Sequence, residues 1–307
     1  MKKTPLIIVC GPTASGKTGL SIELAKKINT EIISADSIQI YKGIEVLSAA
    51  PNEKEKEGIP HHLIGFKDLS EEYSVSDFIR DAEKAISEIS EKGKIPIICG
   101  GTGLYISSLI DGIDFSVNSN SAEVRARLEA ITEKEGTEKL YSILSEKDPE
   151  AAVWIHPNNK VRIIRALEIM EITGTTFSEY RRKAAENESQ YDSIVFFLNK
   201  RNRESLYSDI ELRVDKMIEA GMEKEAKTAL EKSPSKTALA AIGLKEFSSN
   251  EPLEEIVSKI KKGTRNYAKR QISWFSRIKE SVKLYKEDFS SPQEMADFCL
   301  TKIKERF

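Results

Sequence analysis

The chain has 307 residues and a formal net charge of −2, with 39% hydrophobic and 31% charged residues. Those numbers describe a soluble globular chain of one large or two modest domains, and they argue against a protein coated in positive charge. No apolar run approaches bilayer-spanning length. The three scattered cysteines, Cys10, Cys99 and Cys299, argue against a disulfide framework or zinc site and fit a reducing cytoplasm.

The N-terminal MKKTPLIIVC superficially resembles a signal peptide, but its apolar run is short and flows directly into GPTASGKT at 11–18. Residues 5–10 read as a buried strand and 18–27 as the helix that the glycine-rich loop opens. A second short strand, EIISAD at 31–36, ends in an acid. A helix over 76–91 precedes a third strand, KIPIICGG at 94–101. This alternation predicts a parallel sheet covered on both faces, with ligands beyond the carboxyl ends of the strands. Residues 11–18, Asp36 and 100–102 all lie at such ends and are expected to face one crevice.

From about Ser121 the pattern becomes helical, in AEVRARLEAITEKEG, EKLYSILSEKD and NNKVRIIRALEIMEITG. The expected organisation is a core of 1–114 and 193–307 interrupted by a helical insertion over 115–192. Residues 181–190, RRKAAENESQ, read as a mobile surface segment. SIVFFL at 193–198 returns as a strand, and the rest reads as mostly helical. Between Lys259 and Lys283 nine Lys or Arg stand against Glu280, with Tyr267, Trp274 and Phe275 interleaved. Such a stripe is a candidate nucleic-acid footprint, although aromatics at helical spacing are more often core.

Gly11, Gly16, Lys17 and Thr18 fill the G-x-x-x-x-G-K-[ST] pattern between a strand and a helix. The loop's N–H groups and the helix N-terminus favour a cluster of anionic oxygens, Lys17 adds a point charge, and the Thr18 hydroxyl suits magnesium. Polyphosphate binding follows, most often of ATP or GTP. The apolar strand ending in Asp that ATPases use is missing, because IPIIC runs into Gly-Gly-Thr-Gly, and that weakens hydrolysis as the activity. Asp36 has three open roles: the magnesium-holding acid that the third strand lacks, a cap or solvated loop residue, or a general base beside the phosphate cradle. Adjacent His61 and His62 diverge on a regular element, so packed or loop-capping roles are expected of them. Arg162 and Arg165 share a helix face, which is either solvated or reads a phosphate.

The ordered set GPTASGKT, ADSIQIYKGI, HHLI, CGGTGLY, HPNNKVRIIRALEI, AIGLKE and YAKRQISWF resembles the tRNA dimethylallyltransferases, also called tRNA isopentenyltransferases, from about Leu6 to Phe275. The resemblance implies an α/β fold: a P-loop NTPase-like parallel sheet core, a tRNA-contacting helical insertion and a helical C-terminal part. It implies magnesium-assisted transfer of a dimethylallyl group from dimethylallyl diphosphate to N6 of adenosine 37. The substrates would be tRNAs that read codons beginning with U and carry adenosine at 36 and 37. The loop Gly11, Pro12, Thr13, Ala14, Ser15, Gly16, Lys17 and Thr18 would then hold the leaving diphosphate rather than ATP, with Arg213 helping and Thr18 at the metal.

Asp36 and Thr102 match the family's catalytic positions. Asp36, Ser37, Ile38, Gln39, Thr102, Arg125, Val161, Arg162, Ile163, Ile164 and Arg165 match tRNA contacts, and Lys269 and Arg270 of the basic stripe are counted with them. The resemblance also implies that the target adenosine is flipped into a channel that the donor enters from the opposite end. Two departures stand out: LSAAP at 47–51 lacks the family's lysine, and Asp209 stands where many members carry Arg. They keep a non-catalytic RNA binder open beside the transferase, and a small-molecule kinase using the same loop for ATP is a third reading. A cytoplasmic monomer is expected, since the tRNA supplies the partner surface.

Overall fold

The computed structural model describes residues 3–112, 122–186 and 189–307. Its contacts divide the chain into two compact units, Met1–Ile110 with Tyr191–Phe307, and Asp111–Gln190. The expected start of the insertion at 115 lies outside the described residues.

The first unit is built on a six-stranded sheet: β1 (Thr4–Cys10), β2 (Ile32–Ala35), β3 (His61–His62), β4 (Ile97–Gly100), β5 (Tyr191–Asn199) and β6 (Ser281–Tyr285), in the order β3-β2-β4-β1-β5-β6. All neighbours are parallel, with Ile7 opposite Ile97 on one side and Ile194 on the other. This is the P-loop NTPase-like parallel core that the sequence predicts. β5 takes in Tyr191 and Asp192, which the expected boundary at 192 gave to the insertion.

Because side chains alternate along a strand, β1 feeds two separate cores. Ile7 and Val9 pack with Leu20 and Leu24 of the helix Lys17–Ile28 and with Met295, Cys299 and Ile303 of Pro292–Arg306. Leu6, Ile8 and Cys10 face the opposite core, shared with Phe78, Ile86 and Ile89 of Val75–Glu91, with Val214, and with Ile260 and Phe275 of the long helix Leu253–Phe275. A reciprocal cap starts Val75–Glu91: the Asp77 N–H donates to Ser74 Oγ at 3.2 Å, and the Ser74 N–H donates to Asp77 Oδ2 at 3.0 Å.

The second unit is helical, with helices Ala122–Glu135, Thr137–Lys147, Pro149–Trp154, Lys160–Thr173 and Phe177–Glu186. Its core includes Leu128, Leu140, Leu144, Ile155, Ile163 and Ile164. The helix Phe177–Glu186 takes in Arg181 to Glu186, which corrects the expectation of a mobile segment there; residues 187–188 lie outside the described ones. The sequence looked unstructured because the helix exposes most of that polar stretch, while its first turn is fixed by buried Ser178 bound to Asp148.

Candidate active site

β1 delivers the chain to Gly11 at a point where no side chain fits. A Cβ there would lie 2.0 Å from the carbonyl oxygen of Leu198 on β5, and φ is +149°. The chain then loops to Gly16, the N-cap of Lys17–Ile28 in a left-handed conformation at φ 99°. Pro12 and Ser15 are buried, so they shape the loop. Lys17 folds back and donates from Nζ to the carbonyl of Pro12 at 2.7 Å. Burial pulls its pKa down to about 8, with Arg213 pushing the same way and the charge of Asp36 opposing. An arriving polyanion restores what burial removes, so the ammonium is poised for phosphate.

Asp36 follows the last residue of β2. Its Oδ1 accepts the N–H groups of Ile38 at 2.9 Å and Gln39 at 3.3 Å. The capping role is therefore real, and it leaves Oδ2 without a hydrogen bond among the described residues. Thr102 acts one layer back: its hydroxyl accepts the Ser37 N–H at 3.0 Å and fixes the turn that aims Asp36. Gln39 donates to the Ala49 carbonyl at 3.3 Å, tying that turn to the LSAAP segment.

Arg213, on Arg203–Glu219, makes no hydrogen bond or ion pair among the described residues. Burial lowers its pKa, against the charges of Asp36 and Glu55. Thr13, Lys17, Thr18, Asp36, Ser37, Ile38, Gln39, Arg213 and Arg270 all line one cavity of about 370 Å³. The same cavity is walled by Leu47, Val214, Met217, Met222, Ala241, Ile242 and Ile260. A phosphate cradle, a carboxylate and an apolar wall thus share one space, the composition a ligand with an anionic head and a hydrocarbon tail requires.

Sequence reasoning left Gln271 without a role, yet it is central. This buried amide accepts the Thr13 N–H on Oε1 at 2.9 Å and donates from Nε2 to the Gly101 carbonyl at 2.9 Å. It braces the phosphate loop against the end of β4. Tyr267, one helical turn earlier, donates to the same carbonyl at 3.4 Å, and burial pushes its hydroxyl pKa up. The i, i+4 pairing of Tyr267 with Gln271 was the available signal.

The basic stripe separates into parts. Lys259, Lys261 and Arg265 are paired with Glu251, Asp215 and Glu211, whereas Lys269 and Arg270 are exposed and lie 5.8 and 5.6 Å from the rings of Tyr207 and Tyr267. Phe275 is core, and Trp274 donates to Ser107 Oγ at 2.8 Å, so the aromatics hold the helix down. Asp209, the departure noted above, forms an ion pair with the largely buried Lys200.

In the helical unit, Arg125 pairs with Glu129 at 3.6 Å, Arg165 with buried Glu168 at 2.8 Å, and Val161 and Arg162 are exposed. Ile163 and Ile164 are 0% and 3% exposed in that unit's core. This corrects the expectation that the whole 161–165 run contacts RNA: two inward positions of a helix cannot reach a ligand. His61 and His62 take packing roles, bound to the Ile59 carbonyl at 2.8 Å and to Glu31 at 2.9 Å. Among the described residues, no helix is long and apolar enough to cross a membrane, and no group of three His, Cys, Asp or Glu could hold a metal.

The family model described as "IPP transferase" matches residues 39–278. The chain is 44% identical over 315 residues to the tRNA dimethylallyltransferase of Alkaliphilus oremlandii, covering 100% of this chain and 99% of the relative. It is 42% identical over 299 residues to that of Caldanaerobacter subterraneus subsp. tengcongensis, covering 95% of each. Among solved structures it is similar to the full-length tRNA isopentenylpyrophosphate transferase of Bacillus halodurans, with TM-score 0.72, 37% identity, and coverage of 99% and 98% of the two chains. A eukaryotic dimethylallyltransferase described as acting on tRNA matches with TM-score 0.86 at 31% identity, over 99% of this chain and 80% of that one.

Proposed function

The chain belongs to the IPP transferase family, the tRNA dimethylallyltransferases, and from that premise we propose that it transfers a dimethylallyl group from dimethylallyl diphosphate to N6 of adenosine 37 in tRNAs that read codons beginning with U. The observation that carries this reading is the shared cavity, where Lys17 and Arg213 stand with a half-free Asp36 beside an apolar wall. In the transfer, the N6 lone pair forms a bond to carbon 1 of the prenyl group while the bond from carbon 1 to the diphosphate oxygen breaks. The electron pair leaves with the diphosphate, whose charge Lys17, Arg213 and the loop N–H groups stabilise. The N6 proton passes to Oδ2 of Asp36, the oxygen not engaged by the Ile38 and Gln39 N–H groups.

Leu47, Met217 and Met222 exclude water from the prenyl carbon, which would otherwise be hydrolysed. Thr102 positions Asp36 through Ser37 rather than touching the reacting atoms. The Thr18 hydroxyl, a hard oxygen donor lining the cavity, fits magnesium bound mainly through substrate phosphates and water. When bound there, magnesium supplies further neutralisation of the diphosphate.

The exposed residues Arg162, Lys269 and Arg270 are the cations that contact tRNA in this reading. The protein acts as a cytoplasmic monomer. Incubation with dimethylallyl diphosphate, magnesium and an unmodified tRNA carrying adenosines 36 and 37 tests the proposal by nucleoside mass analysis. N6-dimethylallyladenosine is expected, and Asp36→Ala loses most turnover while keeping tRNA binding. Intact tRNA binding with no product in the wild type would instead identify an RNA binder.

A further inference from the structure

The helical unit carries an aromatic surface to which the transfer reaction gives no role. The helix Pro149–Trp154 ends in two apolar residues turned to solvent: Val153 is 88% exposed and Trp154 is 39% exposed. The Arg181 guanidinium lies 4.4 Å over the Trp154 ring, and the Phe177 ring lies 5.7 Å away at 33°.

This cluster is not a frayed end. Ala151, two positions before the exposed pair, and Ile155, directly after it, are fully buried. The buried Asp148 carboxylate caps the helix through the Ala151 N–H at 3.0 Å and also binds the N–H and hydroxyl of Ser178, both at 2.8 Å. One side chain thus stitches together the two helices that carry Trp154 and Arg181. The surface is preorganised, and its large indole is held partly in water.

The charge nearby decides the class of partner. Arg181 at the indole, and Lys160 and Arg162, which follow Trp154 closely in the chain, form no ion pair among the described residues, while Glu150 and Glu179 are engaged by Arg182 and Lys183. A flat indole with a stacked, unneutralised guanidinium and further free cations suits an unpaired nucleobase flanked by phosphates: the base stacks and the cations meet the backbone. An apolar protein partner would instead leave those cations desolvated and unpaired.

We propose that Trp154 and Arg181 form a stacking platform for an unpaired base of the RNA substrate. The proposal rests on the reading that the substrate is a tRNA, and its test separates the two. The chain has two tryptophans, Trp154 and Trp274. Titrating the whole protein with an unmodified anticodon stem-loop RNA should quench tryptophan emission, and the quenching should disappear in Trp154→Phe, which leaves only Trp274. Trp154→Phe should keep affinity within about twofold, because a phenyl ring still stacks, whereas Trp154→Ala should weaken RNA binding by about 5- to 100-fold. The loss should appear in KM for RNA and not in KM for dimethylallyl diphosphate. Equal quenching in wild type and Trp154→Phe, or wild-type affinity in Trp154→Ala, overturns the platform and leaves the surface to a protein partner. A wild type whose quenching is lost in Trp154→Phe but which makes no dimethylallyladenosine supports the platform and sinks the transfer reading. Should Trp154→Ala not fold, the Trp154→Phe comparison decides alone.

Discussion

Lys17 works under a constraint set by its own burial. Its pKa is drawn from 10.5 to about 8, so the free protein loses this charge within the range of ordinary assays. Capture of the diphosphate donor should therefore weaken as pH rises through about 8, seen as a falling kcat/KM for dimethylallyl diphosphate; a flat profile to pH ~10 would exclude Lys17 from donor binding. The effect on stability has the opposite sign. Between about 8 and 10.5 the unfolded lysine holds a proton that the folded one has released, so the fold gains stability as pH rises across that window. Gln271 is constrained by direction, since Oε1 must face an N–H and Nε2 a carbonyl. Gln271→Glu keeps the shape and puts an acceptor against the Gly101 carbonyl. It should cost roughly 1–3 kcal/mol or more in denaturant unfolding and raise the donor KM, whereas an exposed Gln would be indifferent.

At the scale of elements, the amino end of β2 is tied to its surroundings by charge. Buried Glu31 meets Lys92 at 2.8 Å, His62 of β3 at 2.9 Å and Lys94 at 3.5 Å, so one carboxylate links β2, β3, the end of Val75–Glu91 and the approach to β4. The Lys92 hydrogen bond, joined by His62 and opposed by burial, lowers its pKa from 4.5 to about 2. The stability it contributes is fully present above pH 4.5 and lost as pH falls through about 2. Thermal unfolding should therefore fall across that acid window, and Glu31→Gln should flatten this part of the profile while lowering the midpoint at neutral pH. Elements also mark where sequence reading stops. β1, β2, β4 and β5 announce themselves as apolar runs beside turn residues. β3 has two residues and no periodicity to detect, and β6, SVKLY, was absorbed into the basic stripe because Lys283 lies in the middle of it. Both pair at the sheet edges through partners remote in sequence, which no local pattern encodes.

Over the whole molecule, a net charge of −2 coexists with a helix that presents free cations. The cations of Leu253–Phe275 look alike in sequence but not in place: Lys261 is matched by Asp215 at 2.6 Å, while Lys269 and Arg270 lack an acidic partner among the described residues. The transfer reading predicts that tRNA affinity falls with salt despite the acidic total. Lys269→Ala and Arg270→Ala should each reduce the slope of log K against log salt by about 0.7–1, and Lys261→Ala should leave it nearly unchanged. Equal effects at all three positions would mean that net charge, not placement, governs binding. Site and fold were therefore legible to different depths. The phosphate loop and Asp36 could be placed because their neighbours in sequence are their neighbours in space. The brace at Gln271 and the pairing of Asp209 with Lys200 depend on contacts that only the folded chain creates.

The brace also sets an order of events during synthesis. Thr13 and Gln271 are separated by 258 positions, and β1, the strand leading into the phosphate loop, lies between β4 and β5, neither of which exists when β1 leaves the ribosome. The eight residues of GPTASGKT leave the ribosome well before the side chain that fixes their geometry. A nascent chain halted before Gln271 therefore carries the whole phosphate motif but cannot complete its cradle. In the transfer reading, diphosphate binding should therefore appear only in nascent chains that extend past Gln271, and binding by shorter chains would show the brace to be dispensable.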